Sequence, residues 1–371
     1  MKIVITGGHH ISALALANEL KNHKHEVFWL GCRYPRWPEK TEGIEYKQVN
    51  QLNIPFFDIK AGKFYKNFFR WWRIPIGFLQ SLRVLAKIHP DLIVSFGGYI
   101  AVPVVICGWF FKIPSLLHEQ TRVAGMANKF LAGFCKAIFL SFPESERFFP
   151  SGKVLFVGLP LRKELLLQKE KINFNNHLRT IIFLGGGQGS HAINNELEKM
   201  LIKLITKFNI IHQTGNILND ADYRKFLEVR KNLSGEFQKR YLVKDFFSNN
   251  ELAKAIKTAD FAVCRSGAHT TYELGVLGKP AIFIPLAFSF ANEQLINAQF
   301  FVKFKAGEIV EQKNIGNLPE IIDKMNGNLL FYQKNAQKMS VLFPVNATKA
   351  IIEYIENYDK KKAVQPSKGL F

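Results

Sequence analysis

Short apolar runs alternate with segments of helical periodicity along the first half of the chain. After KIVIT the pattern predicts a helix that ends near Leu20, and the later runs are EVFWL, DLIVSF, PSLLHE, AIFLSF and KVLFVG. Each run has the length of an ordinary buried strand. Because strands that alternate with helices are typical of βαβ units, the pattern predicts a parallel, doubly wound α/β sheet.

The same alternation begins again in the second half. A stretch rich in Lys and Asn, from Gln168 to Arg179, is followed by the runs TIIFLGGGQG, FNIIHQTG, KRYLVKDF, DFAVCRSG and PAIFIP. The restart predicts a second Rossmann-like domain, which a chain of 371 residues can accommodate. We assign residues 1–162 to an N-terminal domain, 163–345 to a C-terminal domain and 346–371 to a terminal helix with a loose tail.

One apolar stretch meets the length criterion for a membrane helix. It runs from Leu92 to Phe111 and contains no charged residue, but Gly97, Gly98 and Pro103 interrupt it. We therefore predict a buried strand over 91–96, a glycine turn and a buried helix. The start, MKIVITGG, lacks the basic, apolar and small-residue regions of a signal peptide, so we expect the protein to stay inside the cell.

Composition narrows the class of partner. Hydrophobic residues make up 47% of the chain and charged residues 22%, which is typical of a globular protein. Lys and Arg number 50 against 30 Asp and Glu, and the formal charge of +20 favours an anionic partner. The cysteines show no CxxC pair and no zinc-ligand spacing, so we interpret them as reduced core thiols. They are Cys32, Cys107, Cys135 and Cys264.

The first candidate loop, Thr6-Gly7-Gly8-His9, follows strand one directly. Glycines let backbone N–H groups approach a ligand, and the next helix presents its positive end there. A tight turn with an incidental histidine is the alternative. The loop is not GxGxxG and no acidic residue ends strand two, which counts against a dinucleotide-dependent oxidoreductase.

Two more loops follow strands in the second half. The segment Gly185 to Ser190 suits a diphosphate at a helix N-terminus, and no Lys-Ser or Lys-Thr follows it, so it is not a Walker A loop. The run from Cys264 to Glu273 joins a buried strand to a helix with one early glutamate. That carboxylate could accept both hydroxyls of a ribose, or it could favour the positive end of its own helix.

At this point the residues resemble glycosyltransferase family 28. The run CRSGAHTTYELGVLGKPAIFIPL is similar to its donor-site signature, and other family segments occur in order. These are SFGGY with Pro103, HEQ with Gly125 and Asn128, VGLPLR, HQTG, and NEQ with Asn297-Ala298. The resemblance spans nearly the whole chain and implies two Rossmann-like domains facing a central cleft, the GT-B architecture, with a C-terminal helix.

The resemblance implies inverting transfer of N-acetylglucosamine from UDP-N-acetylglucosamine to undecaprenyl-diphosphate-muramoyl-pentapeptide, in peptidoglycan synthesis. No cofactor or metal is obligatory for it. Asp220-Ala221-Asp222 imitates a metal-binding DxD, but we interpret it as a solvated loop. A related glycolipid transferase, a UDP-N-acetylglucosamine hydrolase or epimerase, and a noncatalytic binding protein remain as alternatives.

The resemblance also implies roles for individual residues. His9 is the candidate base, since its reference pKa suits proton transfer near neutral pH, and Glu119 is the runner-up. Glu273 would bind the ribose, Phe247 would offer its backbone to the uracil and Gln294 would contact sugar hydroxyls. The other donor residues would be Thr6, Gly7, Gly8, Thr121, Arg162, Gly187, Gln188, Arg265, Ala268, His269, Thr270, Thr271 and Tyr272, and the acceptor-side residues Gly97, Gly98, Tyr99, His118 and Asn128.

The chain departs from the family pattern in three places. The usual first loop is GGTGGH, whereas ITGGHHIS is shorter. Gly187 stands where the second loop usually has serine, and Thr121 replaces the asparagine of HEQN.

The segment from Lys60 to Lys87 is rich in cations and aromatics and has no acidic residue. Such a composition is typical of an interfacial segment, so it predicts peripheral binding to the anionic inner membrane surface, at the cytoplasmic face. The alternative is an amphipathic helix that packs its aromatics into the core. No nucleic-acid-binding module accompanies the segment, and we expect no nucleic acid partner.

Overall fold

The computed structural model describes residues 1–34, 42–60, 73–215 and 220–364. They form two compact units. The first comprises Met1–Leu161 together with the chain from Pro344 onward, and the second comprises Arg162–Phe343. The sequence pattern set the terminal segment 346–371 apart, whereas the part of it that the structure describes lies with the first unit.

The first unit is built on a seven-stranded parallel sheet of order β3-β2-β1-β4-β5-β6-β7. Its strands are β1 Lys2–Thr6, β2 Glu26–Gly31, β3 Phe56–Asp58, β4 Leu92–Ser95, β5 Ser115–Glu119, β6 Ala137–Leu140 and β7 Val154–Phe156. Its helices are α1 His10–Asn22, α2 Ile44–Gln51, α3 Arg73–Ile88, α4 Ala101–Phe110 and α5 Met126–Leu131, with 3-10 turns at Ala132–Phe134 and Pro143–Phe148. Helices cover both faces, so the strands β4, β5 and β6 are buried at every residue.

The second unit repeats this plan with six parallel strands in the order β10-β9-β8-β11-β12-β13. The strands are β8 Thr180–Leu184, β9 Asn209–Gln213, β10 Tyr241–Lys244, β11 Phe261–Cys264, β12 Ala281–Phe283 and β13 Gly307–Ile309. The helices are α6 Lys163–Leu167, α7 His191–Ile205, α8 Ala221–Lys231, α9 Gly235–Arg240, α10 Asn249–Thr258, α11 Ala268–Val276, α12 Glu293–Lys303, α13 Leu318–Gly327 and α14 Leu329–Met339, with 3-10 turns at Phe290–Asn292, Gln312–Asn317 and Ser340–Leu342.

The last helix, α15 (Ala347–Val364), completes the core of the first unit. Its buried residues Ile351 and Ile355 join the cluster formed by β1 and α1. The Tyr354 ring meets Phe139 of β6 edge-on, with centroids 5.3 Å apart. The helix is therefore part of the packing of the first unit and not an appendage.

Each sheet reverses its strand order at one place, between β1 and β4 in the first unit and between β8 and β11 in the second. Loops that leave the carboxyl ends of such neighbouring strands diverge, because their helices lie on opposite faces of the sheet, and a crevice opens there. Both predicted glycine loops leave strands at these switch points. The predicted α/β class is confirmed.

The uncharged stretch of the first unit folds as predicted, with β4, a glycine turn and α4 in place of a membrane helix. Among the described residues, no helix combines the length and apolar character needed to cross a membrane. Of the predicted interfacial segment, residues 61–72 lie outside the described residues. The rest forms α3, which buries Leu85 and Ile88 in the core and leaves Leu79 54% exposed.

Candidate functional site

The structure gathers the predicted site residues at the carboxyl edges of the two sheets. The first unit holds Thr6, Gly7, Gly8, His9, Gly97, Gly98, Tyr99, His118, Glu119, Thr121 and Asn128, and the second holds Arg162, Gly187, Gln188, Phe247, Arg265, Ala268 to Glu273 and Gln294. Four of these first-unit residues were assigned to donor binding from the sequence, whereas the other predicted donor residues lie in the second unit. The four are Thr6, Gly7, Gly8 and Thr121.

In the first unit, the loops after β1 and β4 touch through their backbones. The N–H of Gly8 donates to the carbonyl of Gly97 at 2.9 Å. A Cβ on Gly7 would lie 2.7 Å from the backbone carbon of Phe96, and the Gly7 φ is +138°. Only glycine permits both the conformation and the contact.

The Glu119 carboxylate organises the loop after β5. Its Oε1 accepts from the backbone N–H of Thr121 at 2.9 Å and lies 2.8 Å from the Thr121 hydroxyl. Its Oε2 accepts from the N–H of Gly125 at 3.0 Å and from Asn128 Nδ2 at 2.8 Å. Burial raises the pKa of Glu119, and these hydrogen bonds oppose the rise. With both oxygens occupied and 1% of the residue exposed, Glu119 is placed to hold a loop.

Two histidines lie close to the glycine loops. His118 donates from Nε2 to the Gly158 carbonyl at 3.1 Å, which leaves Nδ1 unprotonated and, among the described residues, without a partner. His9 immediately precedes α1. Burial lowers the pKa of each histidine to about 4, so both rings are neutral near pH 7. A neutral imidazole at His9 can accept a proton.

In the second unit, the loop from Gly185 to Ser190 packs against the turn after β9. A Cβ on Gly189 would lie 2.2 Å from the Thr214 carbonyl oxygen, whereas one on Gly186 or Gly187 would meet nothing within 4 Å. The base of the loop is thus tightly packed and its outer part faces open space. Backbone N–H groups there can reach a phosphate at the N-terminus of α7.

Gln213 ties three loops together, a role that the sequence analysis missed. Its Nε2 donates to the Gly186 carbonyl at 3.4 Å, and its Oε1 accepts from the Phe247 N–H at 3.2 Å. The Phe247 ring is buried and its N–H is engaged, so any contact with a base would use the rest of the Phe247 backbone.

Glu273 forms a buried ion pair with Arg162. Arg162 Nε donates to Glu273 Oε1 at 2.8 Å, and the side chains are 9% and 4% exposed. Arg162 Nη1 also donates to Asn249 Oδ1 at 3.1 Å. Burial raises the pKa of Glu273 and the Arg162 charge opposes the rise. Because Glu273 is the sixth residue of α11, beyond the first turn, the helix-dipole interpretation is wrong.

The first five residues of α11 carry two kinds of side chain. Tyr272 is fully buried against Phe343, with ring centroids 5.1 Å apart, and the Thr271 hydroxyl donates to the Gly267 carbonyl at 3.0 Å. These side chains support the helix, so they can serve a ligand only through the backbone. His269 and Thr270 are partly exposed.

Arg265 and Gln294 both hold the loop after β12. Arg265 Nη1 donates to the Ile284 carbonyl at 2.9 Å, and Nη2 donates to Gln312 Oε1 at 2.7 Å. Gln294 Oε1 accepts from the Leu286 N–H at 3.0 Å. Arg265 is therefore engaged by groups of its own unit. No local sequence signal indicates its contact with Gln312.

The interpretation of Asp220-Ala221-Asp222 as a solvated loop is wrong for Asp222. Ala221 begins α8, and the buried Asp222 side chain accepts from Asn194 Nδ2 at 2.7 Å. The Asp222 carboxylate on α8 therefore accepts a hydrogen bond from a side chain of α7 in place of hydrogen bonds from water. Among the described residues, no group of three His, Cys, Asp or Glu side chains could hold a metal ion.

An exposed aromatic cluster of the first unit was not predicted. Trp109 and Phe110 at the end of α4 are 58% and 72% exposed, and Phe130 of α5 is 56% exposed. The Phe134 ring lies 5.5 Å from Trp109 and 5.6 Å from Phe130, which makes the patch continuous. We call these residues the α4–α5 aromatic cluster. Exposed aromatic groups that touch one another indicate an interaction surface.

Comparison with known proteins agrees with this geometry. The Glycosyltransferase family 28 N-terminal domain matches residues 4–140, and the C-terminal domain of that family matches residues 180–353. The chain is 32% identical to the UDP-N-acetylglucosamine--N-acetylmuramyl-(pentapeptide) pyrophosphoryl-undecaprenol N-acetylglucosamine transferase of Clostridium botulinum (strain Kyoto / Type A2), over 97% of this chain and 99% of that protein.

Solved structures support the same relationship. The crystal structure of Acinetobacter baumannii MurG is 26% identical and has a TM-score of 0.71, covering 96% of this chain and 99% of that one. A UDP-GlcNAc 2-epimerase from Neisseria meningitidis has a TM-score of 0.63 over 96% of this chain and 100% of its own, but at 14% identity it shares the fold alone. The chain belongs to glycosyltransferase family 28.

Proposed function

We propose that this protein transfers N-acetylglucosamine from UDP-N-acetylglucosamine to the N-acetylmuramyl-pentapeptide that is linked through a diphosphate to undecaprenol. The observation that carries the proposal is the full-length similarity to a transferase of that name at 32% identity. The second unit supports it, because it combines an open glycine loop with a buried, arginine-paired glutamate.

The donor is assigned to the second unit. Glu273 Oε1 is engaged by Arg162, so its other oxygen is the group offered to the ribose hydroxyls. The Gly186-Gly187 backbone and the N-terminus of α11 would hold the diphosphate, with Gln188, His269 and Thr270 beside it. Phe247 would offer its backbone to the uracil, and Gln294 would contact hydroxyls of the sugar, as the resemblance implies.

The chemistry is a single displacement at the anomeric carbon. The acceptor hydroxyl oxygen forms the new glycosidic bond while the bond from that carbon to the β-phosphate oxygen breaks, and UDP leaves with the electron pair. His9 takes the hydroxyl proton. Helix N-termini stabilise the negative charge that develops on UDP. His9 is preferred to Glu119 because His9 is neutral, whereas both oxygens of Glu119 accept hydrogen bonds from its own loop.

The acceptor is assigned to the first unit, at the cytoplasmic face of the membrane. Thr6, which the sequence analysis gave to the donor, is reassigned here: Thr6 Oγ1 and Asn128 Oδ1 are buried and have no partner among the described residues, so they are suited to polar groups of an acceptor. The α4–α5 aromatic cluster, with Lys112 and Lys129 beside it in the chain, would contact the lipid surface. This surface complements the predicted segment from Lys60 to Lys87.

Transfer is tested with radiolabelled UDP-N-acetylglucosamine and the purified undecaprenyl-linked acceptor in detergent. We expect label in the lipid and UDP release that depends on the acceptor. UDP release without lipid labelling would contradict the proposal and indicate a hydrolase, an epimerase side reaction or another acceptor. No release at all would indicate a binding protein.

The role of His9 predicts a particular pH profile. Because burial lowers the pKa of His9 from 6.5 to about 4, the base form is fully present at neutral pH and is lost only as the pH falls towards 4. We expect kcat/KM to hold from pH 8 down to about 5, and His9→Ala to lower kcat by about 10²-fold or more without weakening UDP binding.

The adjacent His10→Ala is the matched control and should retain activity. An acid limb near pH 6.5 in the unmodified enzyme that disappears in His9→Ala would contradict the assigned environment. Loss of UDP binding in His9→Ala with normal turnover at saturation would contradict the assigned role.

Recognition of ribose by Glu273 is tested by pairing a variant with a modified ligand. Glu273→Gln removes the charge that strengthens a hydrogen bond from a hydroxyl. The unmodified protein should prefer UDP to 2′-deoxy-UDP by about tenfold, and the variant should lose most of this preference, as measured by calorimetry. Exposed Glu320→Gln is the control. An unchanged preference in Glu273→Gln would refute the assignment.

Membrane contact through the α4–α5 aromatic cluster is tested with vesicles. Replacing Trp109 and Phe110 by serine should weaken sedimentation with vesicles containing phosphatidylglycerol by about tenfold, since each change removes apolar area from the lipid boundary. The control replaces Leu330 and Phe331 of the second unit, which are 78% and 51% exposed. Equal loss in both double variants would show that the cluster has no special part.

A further inference from the structure

A chain of polar side chains, which we call the α7–α8 polar chain, lies beside the glycine loop of the second unit. Asp222 Oδ2 accepts from Asn194 Nδ2 at 2.7 Å, and Asp222 Oδ1 lies 2.9 Å from His191 Nδ1. Asn194 Oδ1 lies 3.0 Å from His212 Nε2, and His212 Nδ1 lies 2.9 Å from the Tyr241 hydroxyl. All of these residues except His191 are buried.

The direction of every hydrogen bond in this chain follows from Asp222. A carboxylate only accepts, so Asn194 must turn its amide nitrogen to Asp222 and its oxygen to His212. His212 must then donate from Nε2. Burial lowers the pKa of His212 to about 3, so the ring is neutral and its bare Nδ1 accepts from the Tyr241 hydroxyl.

Asn194 connects the polar chain to the glycine loop. Its Nδ2 also donates to the Thr214 carbonyl oxygen at 3.0 Å. That oxygen is the atom against which Gly189 packs, since a Cβ on Gly189 would lie 2.2 Å from it. The orientation of the Asn194 amide therefore fixes the surface on which the base of the loop rests.

The outer part of the loop depends on this base. Built Cβ atoms on Gly186 and Gly187 would meet nothing within 4 Å, and the Gly186 carbonyl accepts from the Gly189 N–H at 3.1 Å. The Gln213 contact to the Gly186 carbonyl is long, at 3.4 Å. A shift at Gly189 would therefore move the N–H groups that face the ligand.

We propose that Asp222 is a positioning residue, which acts through Asn194 and Thr214 to hold the glycine loop in the shape that the donor diphosphate requires. The inference rests on the proposed function, because it takes the ligand of this loop to be a nucleoside diphosphate. It assigns to Asp222 no contact with the substrate. The effect of losing Asp222 is therefore expected on phosphate binding and not on nucleoside binding.

The test compares UDP with uridine in the full-length protein. Asp222→Ala removes the oxygen that accepts from Asn194 Nδ2, so the Asn194 amide is no longer held in its orientation. We expect UDP binding, measured by calorimetry, to weaken about tenfold, and uridine binding, measured by ligand-observed NMR, to change less than about twofold. Asp220→Asn is the matched control, since Asp220 is exposed and its φ of 62° suits asparagine.

Equal weakening of UDP and uridine would overturn the proposal, because general loosening of the unit does not distinguish the two ligands. Unchanged UDP binding by folded Asp222→Ala would also overturn it. If that variant does not fold, His191→Ala removes one donor to Asp222 from a side chain that is 48% exposed, and should weaken UDP alone by about threefold. Failure of the unmodified protein to bind UDP would instead overturn the proposed function, and the inference with it.

Discussion

Backbone-to-backbone contact between loops that leave neighbouring strands is the constraint on which both sites depend. Gly7 against Phe96 in the first unit, and Gly189 against the Thr214 carbonyl in the second, leave no room for a Cβ atom. Contacts this close bring the carboxyl ends of neighbouring strands together without intervening side chains. The following helices can then direct their N-termini at one place, which is what binding of an anionic ligand requires.

The two buried glutamates show that the hydrogen-bond donors around a carboxylate decide what else it can bind. Glu119 is surrounded by neutral donors from its own loop, so its hydrogen bonds keep that loop closed and leave little capacity for a substrate. Glu273 has a cation, Arg162, on one oxygen only. One oxygen of Glu273 thus remains available to hydroxyl groups, whereas both oxygens of Glu119 are engaged by its own loop.

Much of the fold was predictable, because strand length, apolar content and glycine position are local properties of the sequence. Such signals predict the strands β1, β2 and β4 to β12, the break at Gly97 and both glycine loops, but they missed β3 and β13, which have three residues each. The position of α15 in the fold does not follow from such signals. The spacing of its isoleucines predicts a helix but not the unit against which that helix packs, and only the tertiary structure shows their contact with α1. Asp222 was misread for the same reason. A short acidic run looks solvated until a helix from elsewhere supplies Asn194 and His191.

The departure at Thr121 shows why a site cannot be judged from a motif alone. Replacing the family asparagine removes an amide, which by sequence suggests a damaged acceptor loop. In the structure the Thr121 backbone N–H and hydroxyl both lie at Glu119 Oε1, and Asn128 supplies an amide to Oε2. The carboxylate thus keeps a full set of donors, because the loop needs donors at given positions and not a particular side chain. The altered motif is consistent with an intact loop after β5, because these donors, and not the identity of residue 121, hold the shape of that loop.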